Sequence, residues 1–145
     1  MRAITISLLI GAILLQCSTK GPEVILYTSD DEIHIQVELA DSQDKRRRGL
    51  MGRESLGSRE GMLFIFPSLS LNPFWMENTP ISLDILFISD ELTIDKIAAE
   101  TTPYSRELIR PARPYLYVLE IRGGTAADIG LQPGDRITLP RLLEK

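Results

Sequence analysis

The chain has 145 residues, 43% of them hydrophobic and 25% charged, with a formal net charge of −4. That length suits one ordinary domain with a core rather than two, and the acidic balance argues against a nucleic-acid module, whose footprint is a basic face. A single Cys and a single His exclude an internal disulfide, a thiolate metal cluster and a two-His metal site. No cofactor motif is present: phosphate-binding glycine loops, zinc-ligand spacings and nucleophile elbows are all missing.

Met1 and Arg2 open the chain, and residues 4–15 carry no charge. About a dozen apolar residues match the core of a signal peptide and fall short of the ~20 that a membrane-spanning helix needs. The run ends in Leu14-Leu15-Gln16-Cys17-Ser18, with the only Cys where cleavage would occur. This resembles a bacterial lipoprotein signal, in which that Cys receives lipid and becomes the mature N-terminus. Leu14 fits the usual pattern, whereas Gln16 stands where a small residue is normal. An ordinary secretory signal and an uncleaved anchor are the alternatives. Cleavage removes Arg2 alone among charged residues and takes the side-chain charge to −5. The expected plan is a signal peptide over 1–16, a lipidated tether over 17–22 and a single β-rich domain over 23–145, lipid-anchored outside the cytoplasm on a bacterial membrane.

In chain order, residues 24–28 (VILYT) form a β-type run and Ser29-Asp30-Asp31 supplies turn chemistry. Ile33, Ile35, Val37 and Leu39 alternate with His34, Gln36 and Glu38, the pattern of a half-buried strand with His34 on its polar face. Asp41 is placed to cap a helix over 42–48. Asp44 lies early in it and Lys45-Arg46-Arg47-Arg48 late, as the helix dipole favours. Gly49 stops it, and the basic run reads as a solvated helix face. Residues 61–66 (GMLFIF), ended by Pro67, read as a strand buried on both faces. Further strands are expected at 74–76, 83–89 and 92–98, the last two joined by a hairpin turn at Ser89-Asp90-Glu91. Residues 101–114 hold three prolines and four charges and read as a long loop. Residues 115–121 form another β run. Thr125 caps a short helix over 126–129 that Gly130 closes, and Pro133-Gly134-Asp135 turns into a last strand at 136–139. About eight short strands and two short helices, without a βαβ rhythm, predict an α+β fold. Its core is a mostly antiparallel, closed or half-closed barrel-like sheet.

The most informative position is Asp84, a carboxylate inside an otherwise apolar strand. It must find donors or become neutral. Asn78, Thr79, Arg48 and Arg53 are the candidate donors. Two readings stand: a structural polar network, and an acid facing a ligand. Trp75, the only Trp, lies beside Phe74 and Met76 just before a polar turn and either packs in the core or lines a cleft. Arg48 and Arg53 flank the bend Gly49-Leu50-Met51-Gly52, and two guanidiniums there could hold an anion or carboxylate. His34 reads as a surface residue and Asp135 as a turn residue.

Several motifs stand in one fixed order: Arg48-Gly49-Leu50-Met51, Arg53, Gly61-Met62-Leu63-Phe64, Phe74-Trp75-Met76-Glu77-Asn78-Thr79, Leu83-Asp84 and Phe87-Ile88. Tyr117-Val118-Leu119-Glu120, Gly124-Thr125-Ala126-Ala127 and Gly134-Asp135 continue the series. Together they resemble the family known as domain of unknown function 192, over roughly residues 32–139. That resemblance implies an architecture and a residue set, not a reaction, and agrees with export. Two residues depart from the family pattern: Glu77, where Lys is usual, and Ser82, where Pro is usual. Residues 126–137 also look like the helix-to-strand segment of a PDZ domain, but no carboxylate-binding glycine loop precedes a suitable strand. The leading expectation is an envelope binding or accessory module with Arg48, Arg53, Trp75, Asn78, Thr79 and Asp84 as ligand-binding candidates and Cys17 as the lipidation site. Its partners would be the membrane, through the N-terminal lipid, and a small polar or anionic ligand or an envelope protein. The alternative is an envelope hydrolase using Asp84 as general acid or base, although such enzymes often pair two carboxylates.

Overall fold

The computed structural model describes residues 21–143; Cys17 and the signal-like segment lie outside them. The elements in chain order are β1 (Glu23–Tyr27), β2 (Glu32–Ala40), α1 (Gln43–Arg48), β3 (Glu60–Ser70), β4 (Leu83–Ile88), β5 (Ile94–Ala98), β6 (Tyr115–Arg122), α2 (Thr125–Asp128) and β7 (Arg136–Thr138), followed by a 3₁₀ turn at Arg141–Leu143. The strands form one sheet in the order β5-β4-β6-β3-β2-β1-β7. Every neighbouring pair is antiparallel except β2 and β3. A parallel pair needs a crossover, and here the crossover carries α1 and the glycine-bearing bend after it.

The sheet curls until its two ends meet. Thr93 forms a bridge to Arg136, and the backbone bonds Ile94 N to Asp135 O, Gly134 N to Ile94 O and Ile137 N to Leu92 O join the start of β5 to the start of β7. The result is the expected mostly antiparallel half-barrel with two short helices. Its interior core takes residues from all seven strands, including Leu26, Ile35, Leu63, Leu86, Ile94, Leu119 and Ile137, and is plugged by Ala126 of α2 and Leu131. A second core covers the outer face of β3, β4 and β6. There Phe64, Ile85, Phe87 and Val118 pack under Leu50, Leu56 and Met76 from the loops. β4 is therefore buried on both faces along its whole length. At the start of β3, a Cβ on Gly61 would come within 2.6 Å of the Glu120 carbonyl oxygen, so glycine is what lets β3 lie against β6 there.

Local chemistry moved several boundaries. β3 runs past Pro67 to Ser70. Proline lacks a ladder donor, and the pairing with β6 is interrupted between Ile65 and Ser70 rather than ended. The expected strand at 74–76 reduces to one bridge between Phe74 and Ile109. Ser42, not Asp41, caps α1, its hydroxyl accepting from Lys45 N, while Asp41 pairs with the Lys45 ammonium at 2.8 Å. Gly124 in the left-handed region (φ 85°), not Thr125, precedes α2. The donors at the start of α2 are satisfied from across the sheet.

Candidate functional site

That partner is Asp84. It is completely buried on the interior side of β4. Its Oδ1 accepts from the backbone N–H of Glu100 at 2.7 Å and of Gly124 at 3.0 Å, and its Oδ2 from that of Ala126 at 2.8 Å. The first N–H groups of a helix lack internal partners. Asp84 supplies them and clamps the 99–101 turn to the start of α2. None of Asn78, Thr79, Arg48 and Arg53 is its donor. The geometry places Asp84 in a buried polar network, away from the outer face and its cavity.

The outer face holds the opposite arrangement. A cavity of about 310 Å³ opens between α1, the bend after it and the 72–79 loop. Phe64, Phe66, Phe74 and Tyr115 wall it, joined edge-to-face at centroid distances of 5.0–6.4 Å, the geometry that aromatic quadrupoles prefer. The Tyr115 hydroxyl donates to the Asn72 carbonyl at 2.9 Å, and burial pushes its pKa up. Arg46 lies 5.3 Å from the centre of the Phe66 ring and donates to the Ile65 carbonyl. Arg47, Arg48, Trp75 and Thr79 also line it. Among the described residues, neither Arg47 nor Arg48 has a carboxylate partner.

The floor is Glu120. It projects from β6 on the outer face, one position along the ladder from Asp84: Ile85 pairs with Glu120, and Asp84 with Ile121. Glu120 is 5% exposed, and its Oε2 is sealed without a hydrogen-bond partner among the described residues. Desolvation pushes its carboxyl up to about 8, which favours the protonated, hydrogen-bond-donating form near neutral pH. Gly49 closes over it. A side chain at that position would meet the Phe64 ring at 3.2 Å, and its φ of 48° favours glycine.

The cavity thus gathers three of the residues singled out in the sequence, Arg48, Trp75 and Thr79, and leaves out three. Arg53 pairs with Glu38 on a neighbouring groove. Asn78 is a turn residue at φ 56°, its carbonyl accepting from Gly52 N at 2.8 Å. Asp84 is on the other face. Of the two family departures, Glu77 pairs with Arg106 at 2.7 Å, and the Ser82 carbonyl accepts from Gly123 N. His34 is a surface strand residue beside Glu23. Sequence reasoning missed Glu120, although it carries the same signal as Asp84: an acid flanked by Leu119 and Ile121 in a β run.

The described residues form one curled β sheet with an aromatic-walled recess on its outer face. The chain belongs to the DUF192 family (Uncharacterized ACR), matched over residues 25–139. It is similar to a protein of unknown function from Novosphingobium aromaticivorans, with 38% identity, a TM-score of 0.78 and coverage of 80% of this chain and 83% of that one. It is also similar to a protein from Sinorhizobium meliloti provisionally described as a transcription regulator, with 37% identity, a TM-score of 0.79 and coverage of 81% and 92%. Comparison with curated proteins gave no match.

Proposed function

We propose that the mature chain is a lipid-anchored, extracytoplasmic binding module of the bacterial cell envelope, and that it holds a small anion with an apolar body in the aromatic cavity. The observation that carries this reading is the aromatic-walled recess with Glu120 at its floor, a carboxyl whose Oε2 has no partner among the described residues. A buried polar group without a partner costs stability, and such groups are kept where a ligand completes them. The neutral Glu120 carboxyl donates to an acceptor on the ligand, the rings enclose its body, and Arg48 at the rim takes its charge. The apolar segment ending at Cys17 supports export and anchoring. Among the described residues no helix is long and apolar enough to cross a membrane, a finding that leaves lipid anchoring open.

A hydrolase built on Asp84 finds no support, because three backbone donors occupy that carboxylate and bury it. The regulator description belongs to the Sinorhizobium protein; the net charge of −4 here does not favour a nucleic-acid partner.

Naphthalene-2-sulfonate, an apolar ring system with one anionic group, is a direct probe. It should bind with one-to-one stoichiometry and weaken about tenfold in Arg48→Gln, the loss of one charge-assisted contact of about 1.4 kcal/mol. Equal binding to wild type, Arg48→Gln and Trp75→Ala would remove the cavity as the site. Fractionation of Cys17→Ser tests the anchor: a correctly cleaved variant that stays with the membrane overturns it.

A further inference from the structure

We propose that the arginine-bearing mouth of this cavity rests on the anionic headgroups of the membrane that holds the lipid anchor, with Arg47, Arg48 and Trp75 in contact with lipid. The proposal builds on the anchoring reading above and adds an orientation to it. Three observations meet here.

The first is where the tether leaves the fold. Pro22, at the start of the described chain, lines a groove together with Arg48, Gly49, Leu50 and Met51, and those four residues also line the cavity. One of the three grooves that Pro22 borders thus runs toward the cavity mouth. From Pro22 back to Cys17 is five residues, a reach of at most about 18 Å when fully extended. An acyl chain on Cys17 keeps the domain within that reach of the bilayer, and the groove leading to the cavity mouth is among the faces nearest to it.

The second is charge. In a chain of net charge −4, the cavity lining carries three guanidiniums, from Arg46, Arg47 and Arg48. Arg46 is engaged by the Ile65 carbonyl and the Phe66 ring. Lys45 and Arg53 nearby are neutralised by Asp41 and Glu38. Arg47 and Arg48 remain, exposed and without carboxylate partners among the described residues. The only acid in the lining, Glu120, is sealed beneath them. Basic side chains held within a screening length of an anionic leaflet are drawn to it.

The third is Trp75, 45% exposed on the same lining. An indole presented to solvent next to two free guanidiniums matches the headgroup layer, where Trp is enriched. A ligand of the cavity would then arrive from that layer.

Trp75 is the only Trp in the chain, so its emission reports this contact alone. The full lipidated protein is reconstituted in vesicles of phosphatidylglycerol with brominated phosphatidylcholine, and in vesicles of brominated phosphatidylcholine alone. The expected result is a blue shift and strong quenching with phosphatidylglycerol. Quenching should fall about twofold or more without it, and again in about 1 M salt, where the screening length is about 3 Å. The Arg47→Gln, Arg48→Gln double variant should lose the phosphatidylglycerol effect while keeping its melting midpoint, since both side chains are exposed and unpaired. Equal, weak quenching in both vesicle types, with the protein floating with the vesicles, overturns the orientation and leaves the anchor intact. A chain without lipid on Cys17, read from the mass of its N-terminal peptide, fails the anchoring reading, and the orientation falls with it.

Discussion

Two buried carboxyl groups sit at adjacent ladder positions on neighbouring strands, and they have opposite fates. Asp84 points into the half-barrel and finds three backbone N–H groups. Glu120 points outward, under α1 and its bend, and its Oε2 finds none. The same sheet therefore presents one completed polar site and one incomplete one. The interior site binds α2 and the 99–101 turn to the sheet and is a fastening. The outer site lies in an apolar recess that opens to solvent between arginines, and it lacks the one thing a ligand could bring. Burial alone does not separate a structural acid from a functional one; the accounting of donors does.

The comparison breaks first at Asp84. Each orphaned buried donor costs about 1–3 kcal/mol, so Asp84→Ala should lose about 3 kcal/mol or more in a urea melt. A loss below about 1 kcal/mol would mean that water replaces the carboxylate and that the fastening is dispensable.

Glu120 gives an effect of comparable size, through pH. The unfolded chain releases this proton near 4.5 and the folded chain near 8. Stabilisation from the retained proton is complete below 4.5, falls across the window from 4.5 to 8 and is gone above it. The slope can reach about 1.4 kcal/mol per pH unit. Melts of wild type and Glu120→Gln at several pH values within that window should diverge, with wild type losing ground as pH rises. Parallel curves would contradict the raised proton affinity.

At neutral pH, Glu120→Met replaces the incomplete acid with an apolar chain of similar length and should raise stability by roughly 1–2 kcal/mol while abolishing naphthalene-2-sulfonate binding. A destabilised variant would show that Glu120 has a protein partner after all. The smallest effect is expected at the surface: Arg53→Ala breaks the ion pair with Glu38 and should cost about 0.5 kcal/mol or less, with no change in ligand binding. A larger cost, or weakened binding, would extend the site into the neighbouring groove.

The sheet was legible because alternation in residues 33–39 and the continuous apolar runs at 61–66 and 83–88 report burial directly. The half-barrel follows from many short strands with turn chemistry between them. Less legible was anything depending on which segments meet. Asp84 announced that it needed donors, but the donors are backbone groups of residues 100, 124 and 126, which no side-chain pattern marks. The nearby Asn78, Thr79 and arginines were plausible by sequence proximity and lie on the other face of the sheet. Trp75 and Arg48, which line the cavity, stand out in the sequence as an isolated Trp and the end of a glycine-broken basic run, whereas Thr79 lines it although it was singled out as a donor to Asp84. Glu120 was overlooked although it is flanked by Leu119 and Ile121, because it falls near the end of its strand, two residues before Arg122, where a polar residue is common. Its burial comes from Gly49 and the crossover packed above it, a tertiary fact.

The Asp84 fastening also bears on the order of folding. Its three bonds close chain separations of 16, 40 and 42 residues, whereas the β4–β5 hairpin beside it is local. Contacts that close long loops forfeit more chain entropy before they form, so the two bonds from Asp84 to the start of α2 are expected to form after the β4–β5 hairpin. Interactions absent from the transition state change the unfolding rate and leave the folding rate nearly untouched. If the Asp84 bonds are absent from the transition state, Asp84→Ala will speed unfolding in stopped-flow mixing and leave the refolding rate nearly unchanged.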